Sequence, residues 1–269
     1  MLRTIAIVLS LFCASAYAAD RPTSYVLIAP PRLGAAQTQA VYGKIANFLA
    51  RATGAPITFH YTSNWLTYMA EVRHNTAAIY FDGPAVIGWR IAHWHDDALV
   101  ALSGKLNFVL IAKKSTHPFH GIQHLIGRPV CAFSPPNLGT LTLDSWFTNP
   151  ERQPYIVVIH SLKAAARNVM EGSCAAALEP LAVFKHQNAR FPGRLRVAYR
   201  APGLPNQAFS VSAAVPATLR HKIIAALLSP AGARATKPLR DMFGHKALVR
   251  VHNAAYLPYR KELHVMVGF

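Results

Sequence analysis

The chain has 269 residues and a formal net charge of +17, from 28 lysines and arginines against 11 acidic residues. Apolar residues make up 52% of it, which is enough for one large domain or two lobes and excludes a disordered chain. The lysines and arginines are scattered and no aromatic RNA-binding motif accompanies them, so we predict no nucleic acid partner. Anionic solutes, anionic lipid head groups and solubility remain as explanations of the charge.

The first predicted element is a secretory signal peptide over residues 1–18. It has a basic Arg3, an apolar run from Ile5 to Cys13, and Ala16-Tyr17-Ala18 as an A-x-A cleavage site. The run is too short for a membrane anchor, and no later segment is long enough to span a bilayer. We therefore expect cleavage after Ala18 and a periplasmic protein.

The next stretch predicts strands alternating with helices. The strand "SYVLIAP" precedes the helix "QTQAVYGKIANFLARATG", whose apolar residues recur at helical spacing until Gly54. The strand "PITFHY", the helix "WLTYMAEVR" and the strand "AAIYF" follow, and Asp82-Gly83-Pro84 ends the last of these. Such alternation favours a parallel sheet covered by helices.

The alternation then starts again. "KLNFVLIAKK" and "GIQHLIGRPVCAF" lead through the helix "TLTLDSWFTN" to the strand "YIVVIH", the helix "SLKAAARNVMEG" and the strand "CAAALEP". "RLRVAYR" and "QAFSVSAAVP" are extended, and the chain finishes with helices around "ATLRHKIIAALLS" and "YLPYRKELHVMV". Two successive α/β units predict two lobes, with ligands held at the carboxyl ends of the strands in a cleft between them.

Two junctions between a strand and a helix carry the candidate site. "SPPNLGTLT" offers the hydroxyls of Ser134 and Thr140 and the amide of Gly139. "VIHSLKAAA" places His160 and Ser161 at a second helix N-terminus, which favours negative charge. Because both junctions belong to one α/β unit, we predict a single cradle for an anion.

Other chemistries have weaker support in the sequence. There is no G-x-S-x-G, H-E-x-x-H or Walker motif, so we predict no enzyme and no cofactor. Dense histidines leave a metal-binding protein as an alternative, although their spacing matches no closed zinc pattern. These histidines are His93, His95, His117, His120 and His124.

Two cysteines, Cys131 and Cys174, remain after cleavage of the signal peptide. Both fall in predicted strands of the same half of the chain, so a disulfide is possible in an oxidising compartment. Two buried free thiols are the alternative.

Five segments in order resemble the phosphate/phosphite/phosphonate-binding family of periplasmic proteins that serve ABC transporters. They are "AIYFDGPAVIG", "LIGRPVCAFSPPNLGT", "IHSLKAAARNVMEGSCAAALEP", "APGLPNQAFSV" and "AAYLPYRKEL". The resemblance implies an α/β, two-lobed type II periplasmic binding protein fold, in which each lobe is a mostly parallel sheet flanked by helices. It also implies an exported solute-binding protein, monomeric, that captures a small oxyanion for an inner-membrane ABC permease. A ligand-sensing partner of a membrane sensor kinase is the alternative on the same fold.

The resemblance also implies the site residues and the lobe boundaries. His160 matches the family's donor to the oxyanion, Glu179 lies near its acidic position, and Asn206 stands where a second carboxylate would hold an ammonium group. The full predicted set is Trp65, Phe81, Gly83, Ser134, Leu138, Gly139, Thr140, His160, Glu179 and Asn206. The predicted lobes are 19–113 with 201–269, and 114–200, with hinges near "FVLIAKK" and "VAYRAPG".

Overall fold

The strands of this protein fall into two main sheets. The computed structural model describes residues 24–114, 121–147, 149–190, 192–266 and 269, so the predicted signal peptide lies outside the described residues. The strands are β1 (Tyr25–Ile28), β2 (Ile57–Phe59), β3 (Ile79–Asp82), β4 (Asp97–Leu102), β5 (Lys105–Leu106), β6 (Phe108–Lys113), β7 (Pro129–Ala132), β8 (Tyr155–Val158), β9 (Ala176–Pro180), β10 (Leu195–Arg200), β11 (Leu204–Pro205), β12 (Ala208–Val211) and β13 (Leu248–Arg250). The α-helices are α1 (Ala35–Thr38), α2 (Lys44–Thr53), α3 (Trp65–His74), α4 (Pro84–Trp94), α5 (Leu138–Ser145), α6 (Leu162–Glu171), α7 (Leu181–Arg190), α8 (Ala217–Leu228), α9 (Pro230–Ala235) and α10 (Lys237–Met242).

Shorter turns connect these elements. A π-helical turn, Gln39–Gly43, joins α1 to α2. The 3-10 turns are Ile122–Leu125, Asn253–Ala255, Leu257–Tyr259 and Glu262–Val265. None of the helices within the described ranges combines the length and the apolar character needed to cross a membrane.

The first lobe is built on a six-stranded sheet of described strands, in the order β13-β4-β12-β3-β1-β2. β1, β2, β3 and β4 run in one direction, while β12 and β13 run against them. Helix α2 packs its apolar stripe on this sheet, with Ile45 and Leu49 fully buried, and ends at Gly54, whose positive φ of 74° favours glycine.

The second lobe is built on a five-stranded sheet of described strands, in the order β10-β6-β9-β7-β8. Here only β6 runs against the others. Both sheets therefore match the predicted mostly parallel type, in which the carboxyl ends of most strands lie at one edge of each sheet.

The chain crosses between the lobes twice, through residues 103–107 and 201–207. β5 and β11 lie in these crossings and pair antiparallel with each other. The first crossing comes one strand earlier than predicted, because the apolar run "FVLIAKK" is not a connection: Phe108–Lys113 forms β6, between β9 and β10. The boundary expected at residue 113 therefore moves to about residue 103, and "VAYR" likewise belongs to β10.

Candidate functional site

A cavity of about 530 Å³ lies between the lobes, at the carboxyl ends of β1, β3, β7 and β9. The first lobe lines it with Pro31, Arg32, Trp65, Asp82, Gly83, Ala85, Val86, Gln207, Met242, Phe243 and His245. The crossing and the second lobe line it with Leu106, Phe108, Ala132, Phe133, Pro136, Asn137, Leu138, Gly139, Thr140, Leu141, Leu178, Pro180, Ala182 and Val183. The position is the one expected for a ligand site in an α/β sheet.

Arg32 is the cation of this cavity. It follows β1 in the loop "APPRLG", and its guanidinium carbon lies 5.8 Å from the centre of the Trp65 ring and 5.6 Å from that of Phe243. Two aromatic faces at this distance stabilise a cation and hold it in place. Among the described carboxylates, none forms an ion pair with Arg32. Its charge is therefore available to an anion in the cavity.

Asp82, the last residue of β3, is the acidic group of the cavity. It is fully buried and accepts a hydrogen bond from the Tyr68 hydroxyl. Burial raises the pKa of Asp82 to about 6, while the Tyr68 hydrogen bond and the charges of Arg32 and Arg90 oppose the rise. The carboxyl therefore changes charge near neutral pH, beside the arginine that would meet an anion.

The N-terminus of α5 brings backbone N–H groups to the cavity. Asn137 caps the helix, because its side-chain oxygen accepts from the Gly139 amide at 3.0 Å. A Cβ at Gly139 would lie 3.0 Å from Phe108 and 3.1 Å from Leu178, so glycine lets this turn pack closely on the sheet. The Gly139 amide is thus already bound by the cap, whereas the other first-turn amides, those of Leu138 and Thr140, have no partner within the helix and lie at the positive end of its dipole.

The hydroxyl of Thr140 is already used within this loop. It donates to the carbonyl of Phe133, and Thr142 donates in the same way to Leu138. A hydroxyl has one proton to donate, so Thr140 lines the cavity but offers an anion only its backbone amide. The loop therefore holds fewer side-chain donors than "SPPNLGTLT" predicts.

Asn206 ties together the crossings and does not line the cavity. Its side-chain nitrogen donates to the Ser103 carbonyl at 3.3 Å and to Nε2 of His245 at 3.0 Å, and the Tyr256 hydroxyl donates to its backbone carbonyl. Burial lowers the pKa of His245, with a hydrogen bond to the Ser103 backbone opposing the change. The lowered pKa favours the neutral imidazole, in which Nε2 can accept from Asn206.

The structure brings part of the predicted set together. Trp65, Gly83, Leu138, Gly139 and Thr140 line the cavity. The other five do not. Ser134 and His160 are exposed outside it, and Phe81 is buried behind Phe243, packed on Phe209 at 4.8 Å. Asn206 lies in the second crossing, and Glu179 faces the other side of its sheet. Their roles in binding a ligand stay predictions.

His160 lies away from the cavity because of the position of β8. The preceding strand is the outermost of the second sheet, whereas β7, which leads to α5, is an inner strand between β8 and β9. Of the two junctions that were predicted to form the site, the one that follows β7 reaches the cavity and the one that follows β8 does not. Ser161 instead caps α6 through the Ala164 amide at 3.2 Å.

Glu179 lies in a cavity-lining strand but faces the other side of its sheet. Leu178 packs with Phe108 on the cavity side, and side chains alternate along a strand. Glu179 therefore points toward α7. Burial raises its pKa to about 8, with a neighbouring Gln187 side chain opposing the rise.

The structure joins Cys131 of β7 to Cys174, just before β9, in a disulfide with Cα atoms 5.8 Å apart.

For the histidine alternative, no group of three or more potential metal ligands occurs among the described residues. His117 and His120 lie outside those residues. His93 contacts the Trp89 carbonyl through Nδ1 at 2.9 Å.

Sequence reasoning missed Arg32, Asp82 and Gln207. Gln207 is buried, and its side-chain oxygen has no hydrogen-bond partner among the described residues. Arg32 follows β1, and Asp82 is the last residue of β3. Ligands bind at the carboxyl ends of strands in such sheets, and this rule identifies both residues when it is applied to the first α/β unit as well as the second.

Two sheets joined by a double crossing, with a ligand cavity at their strand ends, define a two-lobed periplasmic binding protein. The family described as "ABC transporter, phosphonate, periplasmic substrate-binding protein" matches residues 27–256. The chain therefore belongs to this family of transporter components, which bind substrates and are not enzymes. No curated protein matches its sequence.

Solved structures agree on the fold. PhnD1 from Prochlorococcus marinus, in complex with methylphosphonate, matches with a TM-score of 0.68 and 11% identity, covering 93% of this chain and 100% of its own. A Xanthomonas citri protein bound to ATP matches with a TM-score of 0.68 and 9% identity, over 90% and 97% of the two chains. A binding protein component of a phosphonate ABC transporter from Pseudomonas aeruginosa matches with a TM-score of 0.63 and 10% identity, covering 90% of this chain and 86% of its own.

Proposed function

We propose that this protein is exported by its N-terminal signal peptide and captures a small phosphorus oxyanion of the phosphonate class, which it delivers to an inner-membrane ABC permease. One observation carries the proposal: Arg32 and the N-terminus of α5 line the same cavity, one from each lobe. A guanidinium and a helix N-terminus are two of the groups that proteins use to bind phosphoryl oxygens.

The family's transport role and the solved structures support this assignment over the alternatives. A bound anion that contacts both lobes would favour the closed arrangement of the lobes, and closure is the signal that a permease reads. A sensor kinase could read the same closure, and the family's transport role is what favours a permease as the partner.

The first experiment is a binding panel with mature protein beginning at Ala19. Isothermal titration and thermal shift would compare methylphosphonate, phosphite, phosphate, sulfate and zinc. A ligand at 100 times its Kd adds about 2.7 kcal/mol to the free energy of unfolding, a shift of several degrees. A response to a phosphorus oxyanion supports the proposal, whereas a response to zinc alone would favour the histidines.

The substitution Arg32→Met tests whether the Arg32 guanidinium binds the anion. Loss of a charge-assisted hydrogen bond costs roughly 1.5–3 kcal/mol, so we expect the Kd for a bound phosphonate to rise at least about tenfold. Arg234→Met, which removes an exposed cation of α9 outside the cavity, is the matched control and should leave the Kd unchanged. Equal affinities for the two variants would remove Arg32 from the site.

A further inference from the structure

We infer that the phosphonate carries an uncharged, mostly apolar substituent of several carbon atoms, and that methylphosphonate and aminoalkylphosphonates are poorer ligands. This inference rests on the proposed function and names its substrate class. Three features of the cavity carry it: its size and apolar wall, its few side-chain donors, and the partners of its carboxylates.

The size and lining of the cavity suit a ligand larger than methylphosphonate. Its volume of about 530 Å³ falls within the roughly 300–1,000 Å³ that is usual for drug-sized ligands. Apolar side chains from β6, β9, α7 and α10 form much of its wall, among them Phe108, Leu178, Val183 and Met242. A one-carbon substituent would leave most of this wall without contact.

The anion-binding end of the cavity has few side-chain donors. The Thr140 hydroxyl donates to the Phe133 carbonyl, and Asn137 caps Gly139 with its side-chain oxygen, which leaves the Asn137 side-chain N–H groups as donors at this end. The oxyanion therefore meets chiefly Arg32, Asn137 and backbone amides, and burial of the substituent must supply much of the affinity. Each methylene moved from water into such a wall improves binding by about fourfold.

The carboxylates of the cavity region are not placed for an ammonium group. Asp82 accepts from the Tyr68 hydroxyl, and the positive charge of Arg32 lies nearby. Glu179 faces α7 and does not line the cavity, and Asn206 fastens the crossings. An ammonium group in an apolar cavity without its own carboxylate would be destabilised by desolvation.

Gln207 is consistent with an uncharged ligand. Its buried side-chain oxygen lines the cavity without a hydrogen-bond partner among the described residues, so it can accept from a neutral hydroxyl or amide of the ligand. An amide oxygen accepts from neutral and charged donors alike, but it carries no charge to balance an ammonium group.

The test is a ligand series measured by isothermal titration with the mature protein. We expect butylphosphonate and phenylphosphonate to bind at least tenfold more tightly than methylphosphonate. Propylphosphonate should bind more tightly than 2-aminoethylphosphonate, which has nearly the same shape but carries a charge. The inference is overturned if methylphosphonate or 2-aminoethylphosphonate binds as tightly as its larger or uncharged counterpart. If no phosphonate binds, the proposed function itself fails, which is a different outcome.

Two variants test whether the preference for butylphosphonate over methylphosphonate arises from the cavity wall. Val183 is half-buried in the first turn of α7, and Val183→Asn should lower the ratio of the methylphosphonate Kd to the butylphosphonate Kd by at least about threefold. Val249→Asn changes a partly exposed valine of β13, outside the cavity, and should keep the wild-type ratio. An unchanged ratio in Val183→Asn would contradict the location, and the wild-type series decides the preference even if that variant does not fold.

Discussion

The two lobes present different chemistry to the same cavity. The first lobe contributes its charged and titratable side chains: Arg32, Asp82 and His245. The second lobe lines the cavity with apolar side chains, with the polar residues Asn137 and Thr140 and with the amides of α5, and none of its described lining residues carries a charge. The charged side chains of the described lining therefore come from the first lobe, while the second lobe adds the α5 amides and much of the apolar wall. An anion that meets both Arg32 and the α5 amides would contact both lobes.

The interiors behind these two surfaces differ in the same way. Beneath the first lobe's side of the cavity, Arg90 is completely buried and pairs with buried Asp96, and it donates to Ser210 and Asn75. The corresponding layer of the second lobe is mostly apolar, apart from buried Glu179 and Gln187, and is linked by the Cys131–Cys174 disulfide. A buried ion pair stabilises one lobe where a covalent link stabilises the other.

The largest effect that we predict comes from Asp96→Ala. This change leaves Arg90 charged and buried without its carboxylate, which typically costs about 3–5 kcal/mol. The free energy of unfolding in urea measures this loss. Asp241→Ala, which breaks an exposed pair with Lys237 on α10, is the control and should cost roughly 0.3–0.5 kcal/mol. Similar small losses in both variants would show that the buried pair does not hold the first lobe together.

Removing the disulfide should have the next largest effect. Cys131 and Cys174 are 43 residues apart, and closing a loop of that length stabilises a fold by about 2–4 kcal/mol. The double variant Cys131→Ala/Cys174→Ala should lose this amount in urea unfolding. Treatment of the wild-type protein with a reductant should lower its free energy of unfolding by a similar amount. The same treatment of Asp96→Ala should add this loss to the loss that the substitution itself causes. A loss below about 1 kcal/mol in the double variant would argue that apolar packing alone maintains the second lobe.

The smallest predicted effect is a pH dependence of binding set by Asp82. Because burial raises its pKa from 3.8 to about 6, the carboxyl is neutral below that pH and negative above it. A negative charge beside Arg32 weakens anion binding, so the wild-type protein should bind more weakly than Asp82→Asn at pH 8, by about fivefold. At pH 5 the two proteins should bind equally. The ligand's own titration affects both proteins equally, so it cancels in the ratio of the wild-type Kd to the Asp82→Asn Kd. A ratio that is the same at pH 5 and pH 8 would contradict the assignment of the pH dependence to Asp82.

The same titration affects stability with a defined sign. The folded protein retains the Asp82 proton up to about pH 6, whereas the unfolded chain loses it near 3.8. The free energy of unfolding should therefore decrease as the pH rises from about 4 to 6, and this contribution should be absent in Asp82→Asn.

Much of the architecture was predictable because alternation of strands and helices is a local property of the sequence. The helix ending at Gly54 and the strand ending at Asp82 were read from periodicity and breaker residues. The run "FVLIAK" was misplaced, because an apolar strand at the start of a lobe looks the same as an extended connection between lobes. Its partners β9 and β10 lie far along the chain.

The candidate site was predictable only in part, for a physical reason. "SPPNLGT" and "VIHSL" are both strand-to-helix junctions, and nothing local says that β7 is an inner strand and β8 an outer one. The orientation of Glu179 was likewise not predictable, because one residue of register decides which face of a strand a side chain occupies. The Asn137 cap and the Gly139 turn were local features and could be predicted.

The two crossings determine how the lobes can move. β5 and β11 are hydrogen-bonded to each other, and Asn206 connects the second crossing to Ser103 in the first and to His245 in the C-terminal part of the chain. Two separate linkers would allow twisting, sliding and bending, but a bonded ribbon resists shear between its strands and bends most easily about an axis across it. Bending about that axis is therefore the motion that the paired crossings favour, and it would change the width of the cavity between the lobes.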